Sequence, residues 1–273
     1  VYKRQLGTVT VDGDAPDFTT CTATDGTYSV GDTLSITCTW DEAVVTSNGA
    51  LTLSNGDTAS YSSGSGSTSV VFTTTVASGD TDSSDLSVSA YTGTIADAAG
   101  GAAGAASGDL GAVIIDGNVP TLSSVSIATA GTGNANNGDD VTLSFTASEG
   151  IGAPTCTMTD ADGNAMANSV TATEGSNNAW TCVIDTADDD ADGAITFSIA
   201  FSDDAGNAGT AVTSTTDSSS VTIDNTHPTL SNIALTTSNS NSGFAKSGDT
   251  LTLTITVSET VTGLACTIAG DSA

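Results

Sequence analysis

Positive charge is almost missing from this chain. Three cationic side chains, Lys3, Arg4 and Lys246, and a single histidine, His227, stand against 32 Asp and Glu, for a formal net charge of -29. A surface of that sign repels phosphate backbones and anionic lipid, which sets aside nucleic-acid binding and membrane contact by this segment. Aromatics are also scarce, at 4%. With one histidine, and that one ahead of Pro228, no Ser-His or Cys-His pair can form. Two carboxylates could cut a glycosidic bond only in a cleft that fixes their separation, usually with aromatics for stacking. No stretch approaches the ~20 apolar residues of a membrane helix. No C-x-x-C motif exists to start a zinc site. Ser and Thr make up about a third of the chain, yet none of its fifteen Asn begins an N-x-S/T sequon, which points to a prokaryotic source.

What is present is order. Residues 221–230 (VTIDNTHPTL) recur as 113–121 (VIIDGNVPT) and, more loosely, as 9–17 (VTVDGDAPD). Each copy is an apolar run, an Asp, a few turn residues and a proline that starts the next run. Pro16, Pro120 and Pro228 lie 104 and 108 residues apart, the size of one all-β unit. Three further landmarks keep that period. Gly31-Asp32, Gly138-Asp139 and Gly248-Asp249 each open a strand, and Glu42, Glu149 and Glu259 stand eleven residues after the Gly. Asp97-Ala98-Ala99-Gly100 and Asp203-Asp204-Ala205-Gly206-Asn207 form an acidic, Gly-containing turn.

The strand after each Gly-Asp alternates with period two: Leu34, Ile36, Cys38, Trp40; Val141, Leu143, Phe145, Ala147; Leu251, Leu253, Ile255, Val257. That is a half-buried β-strand. Trp40 and Trp180 fall on core-facing positions. In the second unit, strands are expected near 121–129, 140–148, 154–159, 165–173, 179–185, 194–202 and 210–223. Gly, Asn and Asp clusters separate them. Seven short strands in about 100 residues argue for an all-β chain of tandem immunoglobulin-like sandwiches. The expected division is 16–115, 116–223 and 224–273, the last holding only the N-terminal half of a repeat. Residues 6–15 are read as the last strand and linker of a preceding repeat. Residues 1–5 (VYKRQ) resemble a translated sequencing adapter, which would make the chain a fragment of an environmental contig. The Ala- and Gly-rich run 98–108 is expected to be a floppy loop.

Trp180-Thr181-Cys182-Val183-Ile184, the D-x-A-G-N turn at 203–207 and the I-D-x-x-x-P linker at 223–228 resemble the bacterial Ig-like repeats of long secreted and surface proteins of adhesin type. The resemblance covers repeat 2 and the visible part of repeat 3. Repeat 1 departs from it, with Gly101 where Asn207 aligns and a longer Ser/Gly-rich middle at 61–68. The resemblance implies a spacer or adhesive module in an extracellular array. The alternatives are accessory modules of a large secreted hydrolase, or a module that binds sugar or protein through its loops. Expected partners are neighbouring repeats of the same chain and surface glycans or proteins.

Cys21 and Cys38 occupy core-facing positions of adjacent strands in repeat 1. Cys156 and Cys182 lie on the strands expected over 154–159 and 179–185 of repeat 2, and Cys266 takes the place of Cys156 in repeat 3, with a partner expected past residue 273. Repeat 1 lacks both members of one pair and repeat 2 both members of the other. Loss two at a time is what disulfides predict, and they place the chain in an oxidising compartment, extracellular or at the cell surface.

Alternating strand direction assigns each loop to one end of a sandwich. Glu149, Asp203 and linker Asp116 share the leading end of repeat 2. Asp188, Asp190 and Asp192 share its trailing end with linker Asp224 and Glu259 of repeat 3. Carboxylates gathered at a seam repel one another unless a cation sits among them, and hard oxygen ligands suit Ca²⁺. These eight residues are the expected calcium ligands. Asp188-x-Asp190-x-Asp192-Gly193 begins like an EF-hand, but the twelfth position is Ile199, which excludes one. The competing view is that Asp is simply a turn former that keeps the surface soluble.

Overall fold

The computed structural model describes residues 11–131, 133–268 and 271–272. The adapter-like residues 1–5, and most of the strand expected over 6–15, lie outside the described residues. The chain is all-β, built as immunoglobulin-like repeats. Among the described residues no helix is long and apolar enough to cross a membrane.

Repeat 1 contains β1 Phe18–Thr22, β2 Gly26–Tyr28, β3 Thr33–Val44, β4 Gly49–Leu53, β5 Thr58–Ser63, β6 Ser67–Thr75, β7 Ser87–Gly93, β8 Gly108–Asp109 and β9 Val113–Ile115. Along β3, Leu34, Ile36, Cys38 and Trp40 are buried while their neighbours face outward, as period-two alternation requires. The strands join in the order β1-β3-β6-β5-β4-β7-β8, and β2 pairs separately with β9 in parallel. Residues from β3, β6, β4, β7 and β9 enter one buried cluster running from Cys21 to Ile115. The long sheet therefore curls over a single core. Phe72, fully buried, meets Tyr61 and Tyr91 edge to face at 6.4 and 5.9 Å, which concentrates the few aromatics there.

Repeat 2 contains β10 Leu122–Thr129, β11 Asn134–Ala135, β12 Asp140–Ala147, β13 Thr155–Thr159, β14 Thr171–Glu174, β15 Ala179–Asp185, β16 Gly193–Ala194, β17 Thr196–Ala200 and β18 Thr222–Ile223. The order β10-β12-β15-β14 forms one sheet, with β13-β17 and the small β11-β18-β16 sheet completing the unit. A second, separate cluster of buried apolar residues runs from Val125 to Ile223. Repeat 3 shows β19 Leu230–Thr237 paired with β20 Leu251–Val257. Among the described residues no second sheet covers this hairpin, and Ile233 and Leu235 are more than half exposed.

Three local expectations change. The strand expected over 165–173 narrows to β14, with Met166 buried beside it. The last strand, expected over 210–223, is regular only in β18. The run before it is irregular: Asp217 Oδ1 accepts from Ser219 N at 2.9 Å and Thr215 Oγ1 donates to Ser219 O at 3.0 Å, while Thr216 N donates to Val125 O at 2.8 Å and Ser219 Oγ accepts from Ile127 N at 2.9 Å. The run 98–108 is docked rather than floppy. Ala106 is buried, Gly104 N donates to Pro16 O at 2.9 Å, and Trp40 Nε1 donates to Gly104 O at 3.4 Å. Its small side chains let the backbone lie close over β1 and β3. A Cβ on Gly104 would come 3.3 Å from Phe18 N.

Both expected disulfides are present, Cys21–Cys38 and Cys156–Cys182, and Cys266 is free. They do different jobs. Cys21 and Cys38 face each other across the β1/β3 ladder. Cys156 in β13 and Cys182 in β15 join strands of different sheets, tying the two layers of repeat 2.

Candidate functional site

Repeats 1 and 2 each carry a cup of carboxylates at the leading end. In repeat 2, carboxylate oxygens of Asp116, Glu149 and Asp203 lie within 4.8 Å of one another. In repeat 1, Asp12, Glu42 and Asp97 make the same arrangement. The linker supplies the first acid. The turn after β12 supplies Glu149, the end of β3 supplies Glu42, and the Gly-containing turn supplies the last Asp.

That last turn is built alike in both repeats. Asp203 Oδ1 accepts from Gly206 N and Asn207 N, both at 2.8 Å. Asp97 Oδ1 accepts from Ala99, Gly100 and Gly101 N at 2.7, 2.6 and 2.9 Å. Gly206 and Gly100 both adopt φ of 100°, a left-handed conformation that only glycine takes without strain. One carboxylate oxygen thus folds the turn, leaving Oδ2 to face the cup.

The two cups differ at that second oxygen. Asp203 Oδ2 accepts from Asn207 Nδ2 at 2.9 Å. Gly101 stands at the aligned position in repeat 1, and Asp97 Oδ2 has no partner although Asp97 is 6% exposed. A buried carboxylate oxygen without a donor is costly, and beside two further acids it is a position that a cation fits.

The electrostatics agree. Burial, followed by the charges of Asp203 and Asp82, holds the Asp116 carboxyl above the usual range, although the N–H of Asn118 works against it. Burial and then the charges of Asp116, Asp203 and Asp82 raise Glu149. Loss of solvation, then Asp12 and Asp97, raise Glu42.

These raised carboxyls make a pH prediction. A raised group binds its proton more readily in the folded chain, so stability increases as pH falls through its folded value. The gain levels off below the unfolded values of 4.5 for Glu42 and Glu149 and 3.8 for Asp116. Asp160 and Asp192 act oppositely. Burial alone would raise Asp160, but N–H donors from Ala191, Asn164 and Asp162 outweigh it, and hydrogen bonds from Thr226 and Asn225 lower Asp192. Their stabilisation is present above 3.8 and is lost below it. In chelator, the melting temperature should therefore rise as pH falls from neutrality toward 4.5, then drop below 3.8. A melting temperature that only falls on acidification from pH 7 would count against strained cups.

At the trailing end of repeat 2 two of the expected ligands, Asp190 and Asp192, are engaged by hydrogen-bond donors. Asp190, 4% exposed, accepts from Ala167 N at 3.0 Å and Ala187 N at 2.8 Å. Asp192 Oδ1 accepts from Asn225 N at 2.6 Å, and its other oxygen takes the Thr226 hydroxyl. These two close a loop and hold the linker. Asp188 and Asp224 line a shallow pocket with Asn136, Asn137, Asn225 and His227, and Asp224 N donates to Ala135 O at 3.0 Å. Glu259 Oε1 is buried without a partner. Of the eight expected ligands, the structure gathers Asp116, Glu149 and Asp203.

The seam in front of repeat 2 also uses residues outside that set. Asp82, at the position of Asp192, accepts from Gly117 N at 3.0 Å and Asn118 Nδ2 at 2.6 Å, while Gly79 N donates to Gly117 O at 2.8 Å. A Cβ on Gly117 would meet Asp80 O at 2.6 Å, so this close approach needs glycine. Aligning the repeats would have found Asp12, Glu42 and Asp97, which stand on the positions of Asp116, Glu149 and Asp203. The reach of Asn207 across the seam carries no such signal.

No family model matches the chain. No curated protein matches it either. Among solved structures, it is similar to the I-band fragment I67-I69 from titin at 12% identity, over 80% of this chain and 68% of that one, with a TM-score of 0.40. It is similar to Rst D1-D2 at 13% identity, over 78% and 100%, with a TM-score of 0.33. It is also similar to a tetra-tandem repeat in the extending region of a large adhesion protein at 17% identity, over 88% and 62%, with a TM-score of 0.31.

Proposed function

We propose that this chain is a non-catalytic stalk or adhesive-array segment of a secreted or cell-surface prokaryotic protein, stiffened at its seams by Ca²⁺. The observation that carries this reading is the repetition of one seam design, an Asp-Glu-Asp cup at the leading end of both repeats. A site that recurs once per repeat, at the end where the linker enters, acts on the joint between bodies rather than on a substrate. Asp12, Glu42 and Asp97 would hold one ion and Asp116, Glu149 and Asp203 the next. A bound divalent cation would neutralise part of the repulsion and fix the linker Asp against two loops of the repeat that follows it. Two disulfides support an oxidising, extracellular setting.

A spacer bears load, and the test is mechanical. Pulled from its ends, the chain should unfold in discrete steps, one for each closed core. Reductant should lengthen the steps by about 60 Å and about 90 Å, as loops of 17 and 26 residues are released at up to ~3.6 Å per residue. Calcium should raise the unfolding force. Smooth extension without steps, at low force in calcium, would rule out a load-bearing stalk.

A further inference from the structure

We propose that Asn207 is a latch that sets the angle between repeats 1 and 2 without any cation, so that this joint stays stiff when the carboxylate cups are empty. Asn207 is 4% exposed, and its side chain reaches three different bodies. Its Oδ1 accepts from Val30 N, in the turn between β2 and β3 of repeat 1, at 2.7 Å. Its Nδ2 donates to Asp116 O in the linker at 3.2 Å and to Asp203 Oδ2 in its own repeat at 2.9 Å. One amide therefore ties the preceding repeat, the linker and the cup, and both its oxygen and its NH₂ group are in use.

Neutrality is what separates this side chain from the carboxylates of the cup. The other polar groups of the cup are carboxylates that repel one another, and they hold the seam only when positive charge lies between them. The Asn207 amide needs none, and by donating to Asp203 Oδ2 it offsets part of that oxygen's burial. Repeat 1 has no counterpart, because Gly101 stands at the aligned position and Asp97 Oδ2 is left without a donor. The chain thus combines a repeat that grips its predecessor by a side chain with a repeat that, among the described residues, presents carboxylates and no such amide at the same end. A stalk of such units would lose stiffness joint by joint as calcium falls, and not all at once. The latch itself does not depend on the calcium reading, since it is tested in chelator.

The test compares two substitutions in the 273-residue chain in EDTA, reading residual dipolar couplings of repeats 1 and 2 by NMR. Asn207→Gly installs the residue found in repeat 1. Val30→Pro replaces the N–H that Asn207 accepts with the ring Cδ, while leaving the bonds of Asn207 to Asp116 and Asp203 available. Asp32 N donates to Ser29 O at 3.0 Å and Gly31 has φ of 96°, so Val30 is the second residue of a type II turn, where proline is favoured. The wild-type chain should show one common alignment for the two repeats. Each substitution should split it, with the ratio of open to closed seam rising about fivefold in Val30→Pro and on the order of thirtyfold in Asn207→Gly, the scale expected for one and for two lost hydrogen bonds across the seam. The spectrum within each repeat should stay unchanged outside the seam. Independent alignment of the two repeats in the wild type would overturn the latch. So would a single alignment retained in Val30→Pro, even if Asn207→Gly loosens the seam, because the glycine also removes the bond to Asp203. Should Asn207→Gly fail to fold, Val30→Pro decides alone.

Discussion

Raising calcium from none (EDTA) to about 10 mM should lift the melting temperature of the chain by roughly 10 °C or more. At about a hundred times its dissociation constant, a site open only in the folded state adds ~2.7 kcal/mol, and each kcal/mol is worth ~4–8 °C in a unit of this size. Extracellular oxygen sites with dissociation constants near ~10⁻⁴ M reach that ratio at this concentration. The two cups should respond independently, because their ligands come from separate repeats and feed separate cores.

Asp97→Asn separates ligand from architecture. The amide oxygen can still accept the three N–H donors that fold the turn at Oδ1. What changes is Oδ2, the buried atom with no partner. An amide nitrogen there would donate to Asp12 or Glu42 in place of repelling them. In EDTA the variant should melt higher than the wild type, and in calcium lower. That reversal of order is hard to obtain from a merely structural aspartate. Equal melting temperatures of the wild type with and without calcium would end the metal reading outright.

The second large effect is loss of the disulfides. Constraining the unfolded chain by closing loops of 17 and 26 residues contributes about 3 and about 3.5 kcal/mol on the chain-entropy model. Against a typical net stability of ~5–15 kcal/mol, either is a large share, the more so with 4% aromatics. The pair Cys156→Ala and Cys182→Ala should cost more than Cys21→Ala and Cys38→Ala. The first bond holds β13 against β15 across the sandwich, while the second links strands that already pair residue by residue. Urea denaturation should show a lower midpoint for both double variants, with the larger shift in repeat 2. A midpoint that reductant leaves unmoved, or free thiols at these four positions, would remove the disulfides from the account.

The elements most legible in the sequence were those built from neighbours in the chain. Leu34, Ile36, Cys38 and Trp40 alternate because a strand turns successive side chains to opposite faces, and that needs only local geometry. The Asp203 turn reads as a turn because a short acid, a glycine and the backbone between them suffice to close it. The cup was legible one step further. Regular alternation of strand direction brings Asp116, Glu149 and Asp203 to one end, and the repeat period carries the same result to Asp12, Glu42 and Asp97.

The sequence stopped short where one carboxylate has several possible partners. Asp188, Asp190 and Asp192 look alike in the chain, and all three sit in a loop at the right end. Only the packed structure shows Asp190 used up by Ala167 and Ala187, and Asp192 by the linker. The reach of Asn207 to Val30, 177 positions away, depends on how two bodies lie against each other. By itself the sequence determined an all-β chain of repeated sandwiches, the disulfide pairs and the acidic seams, because periodicity and pairing recur in linear order. The tertiary structure decided which acids gather in a cup, which are tied into loops and which side chain bridges the seam, because hydrogen-bond donors are assigned by distance in space.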